Sequence, residues 1–130
     1  MGCCINGSDT YAELVLEVKQ NESRSFGFTI EQNDEPLDLT GYTVNFLVKK
    51  APYPSLENLI EKTITEEYVD NVGYIYEPTD GKFYVIIDQE DTTKLPPYDY
   101  SLVVEITNGE QVINISGNGN TRSVFRVCHQ

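Results

Sequence analysis

Asp80-Gly81-Lys82-Phe83-Tyr84-Val85-Ile86-Ile87-Asp88 is the stretch on which the fold turns. Phe83, Val85 and Ile87 take every second position and Tyr84 and Ile86 fill the gaps. A strand over residues 82–88 therefore buries one face and leaves the other amphipathic. The Pro78-Thr79-Asp80-Gly81 run before it is a turn whose Asp-Gly pair accommodates positive φ.

The same period continues on both sides. Towards the C-terminus, residues 101–107 carry Leu102, Val104 and Ile106, Asn108-Gly109 signals a type I′ hairpin, and residues 111–116 return with Val112, Ile113 and Ile115. After the flexible Gly117-Asn118-Gly119-Asn120 turn, residues 122–128 close the domain with Phe125 and Val127 inward. Towards the N-terminus, residues 68–76 are aromatic and β-prone. Residues 42–50 present Val44, Phe46 and Val48, residues 24–32 present Phe26, Phe28 and Ile30, and residues 13–20 present Leu14, Leu16 and Val18. Asn33-Asp34-Glu35-Pro36 reads as a turn. Residues 55–62 admit two readings: a short helix, from the spacing of Leu56, Leu59 and Ile60 after Ser55, or the lead into a strand through Ile64.

About seven to nine short strands separated by turns, without internal repeats, predict an all-β protein: an immunoglobulin-like antiparallel β-sandwich. At 130 residues the chain has the size of one such domain. Residues 1–11 lack periodicity and read as an N-terminal arm. Residues 12–130 form the sandwich, with an insertion at about residues 51–70. The hydrophobic share of 39% is modest but clustered in β-branched and aromatic runs, which argues against global disorder.

A formal charge of −12, from 21 acidic against 9 basic side chains, repels phosphate backbones and anionic bilayers, so neither nucleic acid nor membrane is an expected partner. Beyond that, the acidity reads first as a solvated surface kept soluble by self-repulsion; the sharper reading is a partner with a basic face or a bound Ca²⁺. No apolar run approaches the roughly 20 residues that span a bilayer, and no secretory signal is recognisable, so the cytosol of the producing cell is the expected site of synthesis. With three cysteines, two of them adjacent, no disulfide framework is expected.

Two segments together resemble a phage family. Leu37-Asp38-Leu39-Thr40-Gly41-Tyr42-Thr43-Val44-Asn45-Phe46 is similar to the leucine-threonine-glycine entry into an alternating strand found in the N-terminal domain of phage baseplate upper proteins. Asp80-Gly81-Lys82-Phe83-Tyr84-Val85, followed by Leu95-Pro96-Pro97-Tyr98-Asp99-Tyr100-Ser101-Leu102, resembles that family's glycine-led strand and its tyrosine entry into the next one. The likeness runs over roughly residues 13–128. It departs at Pro96-Pro97, where a single glycine is usual, and at the long insertion that begins near Ala51. The family's full-length proteins also continue beyond this domain, which leaves head decoration, head-fibre base and connector open beside a tail or baseplate role.

The resemblance implies a non-enzymatic virion structural or adaptor protein, made in the bacterial host cytoplasm, that contacts other virion proteins and copies of itself as a homo-oligomer. The residues themselves suggest structural tasks for Gly41, which permits a left-handed turn into a strand, and for Tyr98 or Tyr100, placed where a tyrosine corner ties a crossing loop to the sheet. Nine tyrosines without a tryptophan make Tyr53, Tyr68, Tyr74 and Tyr76 candidate interface residues. A carbohydrate-binding module for host-surface adhesion is the alternative.

Catalysis finds little support. A hydrolytic triad needs a positioned histidine, and His129 is penultimate. Cys3, Cys4, Cys128 and His129 lack zinc-ligand spacing, so neither metal nor other cofactor is expected. Met1-Gly2-Cys3-Cys4 resembles a lipidation signal only until Asn6, where Ser or Thr is usual. The carboxylates of Asp88-Gln89-Glu90-Asp91 and of Asn33-Asp34-Glu35 with Asp38 match no EF-hand pattern and read as solvated loops.

Overall fold

The computed structural model describes residues 2–6, 14–50, 58–114 and 123–129. Alternating side chains organise these into eleven strands: β1 (Gly2–Asn6), β2 (Leu14–Lys19), β3 (Arg24–Gln32), β4 (Glu35–Pro36), β5 (Thr43–Lys49), β6 (Asn58–Ile64), β7 (Gly73–Glu77), β8 (Lys82–Ile87), β9 (Tyr98–Thr107), β10 (Val112–Asn114) and β11 (Ser123–Cys128). A 3-10 turn at Pro78–Asp80 precedes β8, and a short helix, α1 (Gln89–Thr93), follows it. The count exceeds seven to nine because β4 and β10 are brief hairpin returns of two and three residues.

The strands make two sheets. One runs β1-β3-β8-β7 with β4 beside β3; the other runs β2-β11-β9-β5-β6 with β10 beside β9. This is the strand order of an immunoglobulin-like sandwich, in which first, second, fifth and fourth strands share one sheet. Pairing is antiparallel except at β1 with β3 and β2 with β11. Residues 2–6, within the segment that shows no periodicity in the sequence, thus hydrogen-bond along the edge of β3.

The core lies between the sheets. On β8, Phe83, Val85 and Ile87 are buried, and Phe83 stacks on its cross-strand partner Phe28, rings 4.9 Å apart and 8° from parallel. Phe46 meets Phe125 edge to face at 6.3 Å in the opposite layer. Aromatic pairs of this kind add about 0.5–1.5 kcal/mol beyond the area that they bury.

Two local readings are corrected, the first only in part. Of the two readings open for residues 55–62, the strand through Ile64 holds over 58–62, which belong to β6, and the helix does not, while 55–57 lie outside the described residues. Ile60, Lys62 and Ile64 all point inward. Lys62, only 7% exposed, can do so because its ammonium meets the Asp91 carboxylate at 2.7 Å and donates to the Asn71 carbonyl at 2.6 Å. The short helix is instead α1, where the Asp88 carboxylate accepts from the Asp91 N–H at 2.8 Å and the Asp91 carboxylate accepts from the Asp88 N–H at 3.0 Å. This reciprocal cap turns the acidic stretch into a helix start.

The second correction concerns turn type. Thr107 pairs with Val112, so the Asn108-Gly109 loop has four residues, with positive φ at Gly109 and not at Asn108. The Asn108 side chain accepts from the N–H groups of Glu110 and Gln111, an Asx-type closure. Type I′ geometry appears at Asn33-Asp34, where both residues have positive φ and Gln32 pairs with Glu35 across a two-residue loop.

Candidate functional site

The alternation that buries Phe83 and Val85 turns Tyr84 outward, and the register sets Tyr74 of β7 directly opposite it. Alternation along β7 keeps Tyr76 on the same outer face while Ile75 stays buried, and the ladder shifts between Tyr74 and Glu77. Tyr68 joins from the turn before β7. That turn is closed by the Val69 carbonyl, which accepts from the N–H groups of Val72 and Gly73, with Asn71 left-handed at φ 62°. Residues 68–72 therefore form a turn where the sequence suggests a strand. Gly73 is obligatory for the close approach: a Cβ there would lie 2.1 Å from the Tyr84 carbonyl oxygen.

Four phenol rings thus share one patch. Tyr74 contacts Tyr84 at 5.4 Å, Tyr68 at 5.6 Å and Tyr76 at 6.2 Å, and Tyr76 contacts Tyr84 at 5.8 Å. The rings meet at 48–88° to one another, so they interlock by edges and do not lie flat. Tyr68 remains 51% and Tyr76 41% exposed. The Tyr68 hydroxyl donates to the Asp70 carboxylate at 3.3 Å. Partial desolvation, then the Asp70 charge and hydrogen bond, push the Tyr68 hydroxyl above its ordinary pKa; desolvation and Tyr74 do the same for Tyr84. Both stay protonated at neutral pH, with the Tyr68 proton directed to Asp70.

Exposed carboxylates adjoin the patch in sequence: Glu66 and Glu67 before Tyr68, Asp70 bonded to its hydroxyl, and Glu77 and Asp80 after Tyr76. Lys82 stands opposite Glu77 in the ladder.

Of the other residues singled out from the sequence, Tyr53 lies outside the described residues. Gly41 is left-handed at φ 82°, and its N–H donates to the Glu66 carboxylate at 3.1 Å. Tyr100 is buried at the start of β9, and its hydroxyl donates to the Pro96 carbonyl at 2.6 Å, the geometry of a tyrosine corner. Tyr98 is exposed and packs edge to face on Tyr100 at 5.3 Å. Cys3 and Cys4 sit in β1 and Cys128 ends β11, in different sheets. The Cys128 thiol donates to the Glu17 carboxylate at 3.1 Å. Among the described residues no three His, Cys, Asp or Glu side chains converge as a metal site.

Two contributors escape the sequence reading. Tyr84 was legible in principle, since its alternation with Phe83 and Val85 places it outward beside an aromatic strand. Lys62 carried no signal, because only the fold brings Asp91 to it.

No curated protein matches the chain in sequence. Among solved structures, the N-terminal domain of phage TP901-1 ORF48 superposes with a TM-score of 0.55 at 12% identity, covering 99% of this chain and 98% of that one, which is a likeness of fold. The model of the BppU N-terminal domain matches residues 12–115, most of the chain. The chain therefore belongs to the N-terminal domain family of phage baseplate upper proteins, a family of non-enzymatic phage structural domains.

Proposed function

We propose that the domain is an adaptor of the phage tail or baseplate, held in the virion as a homo-oligomer and acting through protein–protein contacts. The observation that carries this reading is the outward four-tyrosine face, which the sandwich itself leaves partly uncovered. Tyrosine offers large contact area with few torsions to freeze and a polar tip that tolerates water before assembly, which suits a surface that waits for a partner. Edge strands and residues 1–11 are the further candidate contacts between copies.

Sugar adhesion is the second reading, favoured by the number of exposed rings. Stacking on a pyranose uses a broad, flat platform, whereas these rings are tilted at 48–88° to one another and only parts of Tyr68 and Tyr76 are open. A glycan array decides between the two: binding lost in Tyr74→Ala and Tyr76→Ala favours the sugar. The adaptor reading is tested by mass spectrometry of purified virions and by electron microscopy with the protein labelled. Discrete label on the tail is expected; a protein absent from virions, or strictly monomeric, contradicts it.

A further inference from the structure

The tyrosine face and the charge around it together select a partner. Aromatic ring faces carry negative quadrupole potential and attract guanidinium and ammonium groups, and Tyr68 at 51% and Tyr76 at 41% exposure leave part of their rings open to a group of that size. Asp70 accepts from Tyr68, Glu77 follows Tyr76 in the chain with Lys82 opposite it, and the chain as a whole bears −12, so a basic surface is steered towards it and an acidic one repelled. Two copies meeting through this same face would press their acidic margins together, a like-charge contact that a symmetric interface cannot avoid.

We propose that the Tyr68, Tyr74, Tyr76 and Tyr84 face docks a different virion protein through arginine and lysine side chains, and that it is not the surface by which copies of this chain associate. The proposal rests on the adaptor reading and adds the chemistry of the partner. The phenol oxygens can accept from an arginine or lysine, whose side chains carry donors only, while the cation lies against the open part of a ring and near Asp70 or Glu77.

The test is a residue-resolved NMR titration of the whole chain with a short peptide of alternating glycine and arginine, beside a glycine–glutamate peptide of equal length. Saturable shifts confined to the four tyrosines and their neighbours are expected with the arginine peptide alone, weakening in raised salt. Tyr76→Ser, and separately Asp70→Asn combined with Glu77→Gln, should each weaken the response about tenfold. Shifts spread equally over Glu31–Glu35, or an undiminished response in both variants, overturn the proposal. So does a cell-wall oligosaccharide that produces the same shifts, or self-association abolished by Tyr76→Ser. A chain present in virions without an arginine response refutes the docking chemistry alone; absence from virions removes the adaptor reading and this proposal with it.

Discussion

The β7–β8 hairpin has two faces, and both are aromatic. Inside, Phe83 lies flat on Phe28 at 4.9 Å and 8°, with both rings fully buried. Outside, Tyr84 meets Tyr74 at 5.4 Å and 80°, with Tyr76 and Tyr68 open to solvent beyond them. Neighbouring residues of one strand thus serve two solvents. The inner rings are satisfied by the opposite sheet, and their burial drives folding. The outer rings are satisfied only in part, by one another, and what remains uncovered is available for a partner.

The contrast breaks most sharply at the inner ring. Phe83→Ala should destabilise the domain by about 3–5 kcal/mol, since it removes a fully buried ring and leaves a cavity beside Phe28. Urea unfolding reads this directly. Lys62→Ala comes next, with a loss of about 3 kcal/mol, because the Asp91 carboxylate and the Asn71 carbonyl lose their shared partner in a nearly buried position. A lysine that points inward on β6 should behave as a core residue, and a loss no larger than that of a surface lysine would disprove it.

Tyrosines on opposite sides sharpen the comparison further. Tyr100→Phe should lose about 1 kcal/mol in the same assay, as the Pro96 carbonyl forfeits its hydroxyl donor. Acid should then produce a shallower loss. Burial works to raise Asp88, but hydrogen bonds from Asp91 and the charge of Lys62 outweigh it and hold the carboxyl below its ordinary 3.8. With the folded value depressed, this stabilisation is present above the unfolded value and fades as pH falls below about 3.8. Lys62→Ala should flatten that part of the pH profile. The smallest effect is expected for Tyr76→Ser, at about 0.5 kcal/mol, since its ring is 41% exposed and gives up only tilted contacts with Tyr74 and Tyr84.

The strands whose inward positions are uniformly apolar were legible in the sequence, as at Phe26, Phe28 and Ile30 or at Leu102, Val104 and Ile106. β6 was ambiguous because Lys62 interrupts its inward row, and the carboxylate that permits this lies nearly thirty positions along the chain. α1 is a five-residue helix, too short for any apolar period, and only its reciprocal Asp88–Asp91 cap marks it. Turn type was misjudged at Asn108-Gly109 because dipeptide chemistry does not set loop length; pairing register does. For the interaction face, Tyr68, Tyr74 and Tyr76 were readable as tyrosines near one segment. Their meeting with Tyr84 depends on the β7–β8 register, which no local pattern encodes.

The occupancy of Tyr76→Ser protein in purified virions, scored on material whose urea midpoint matches the unmodified chain, tests most directly whether the outer rings serve a partner and not the fold. Occupancy well below that of the unmodified protein is the expected result. Unchanged occupancy would contradict it and return the tyrosine face to the status of an ordinary sheet surface.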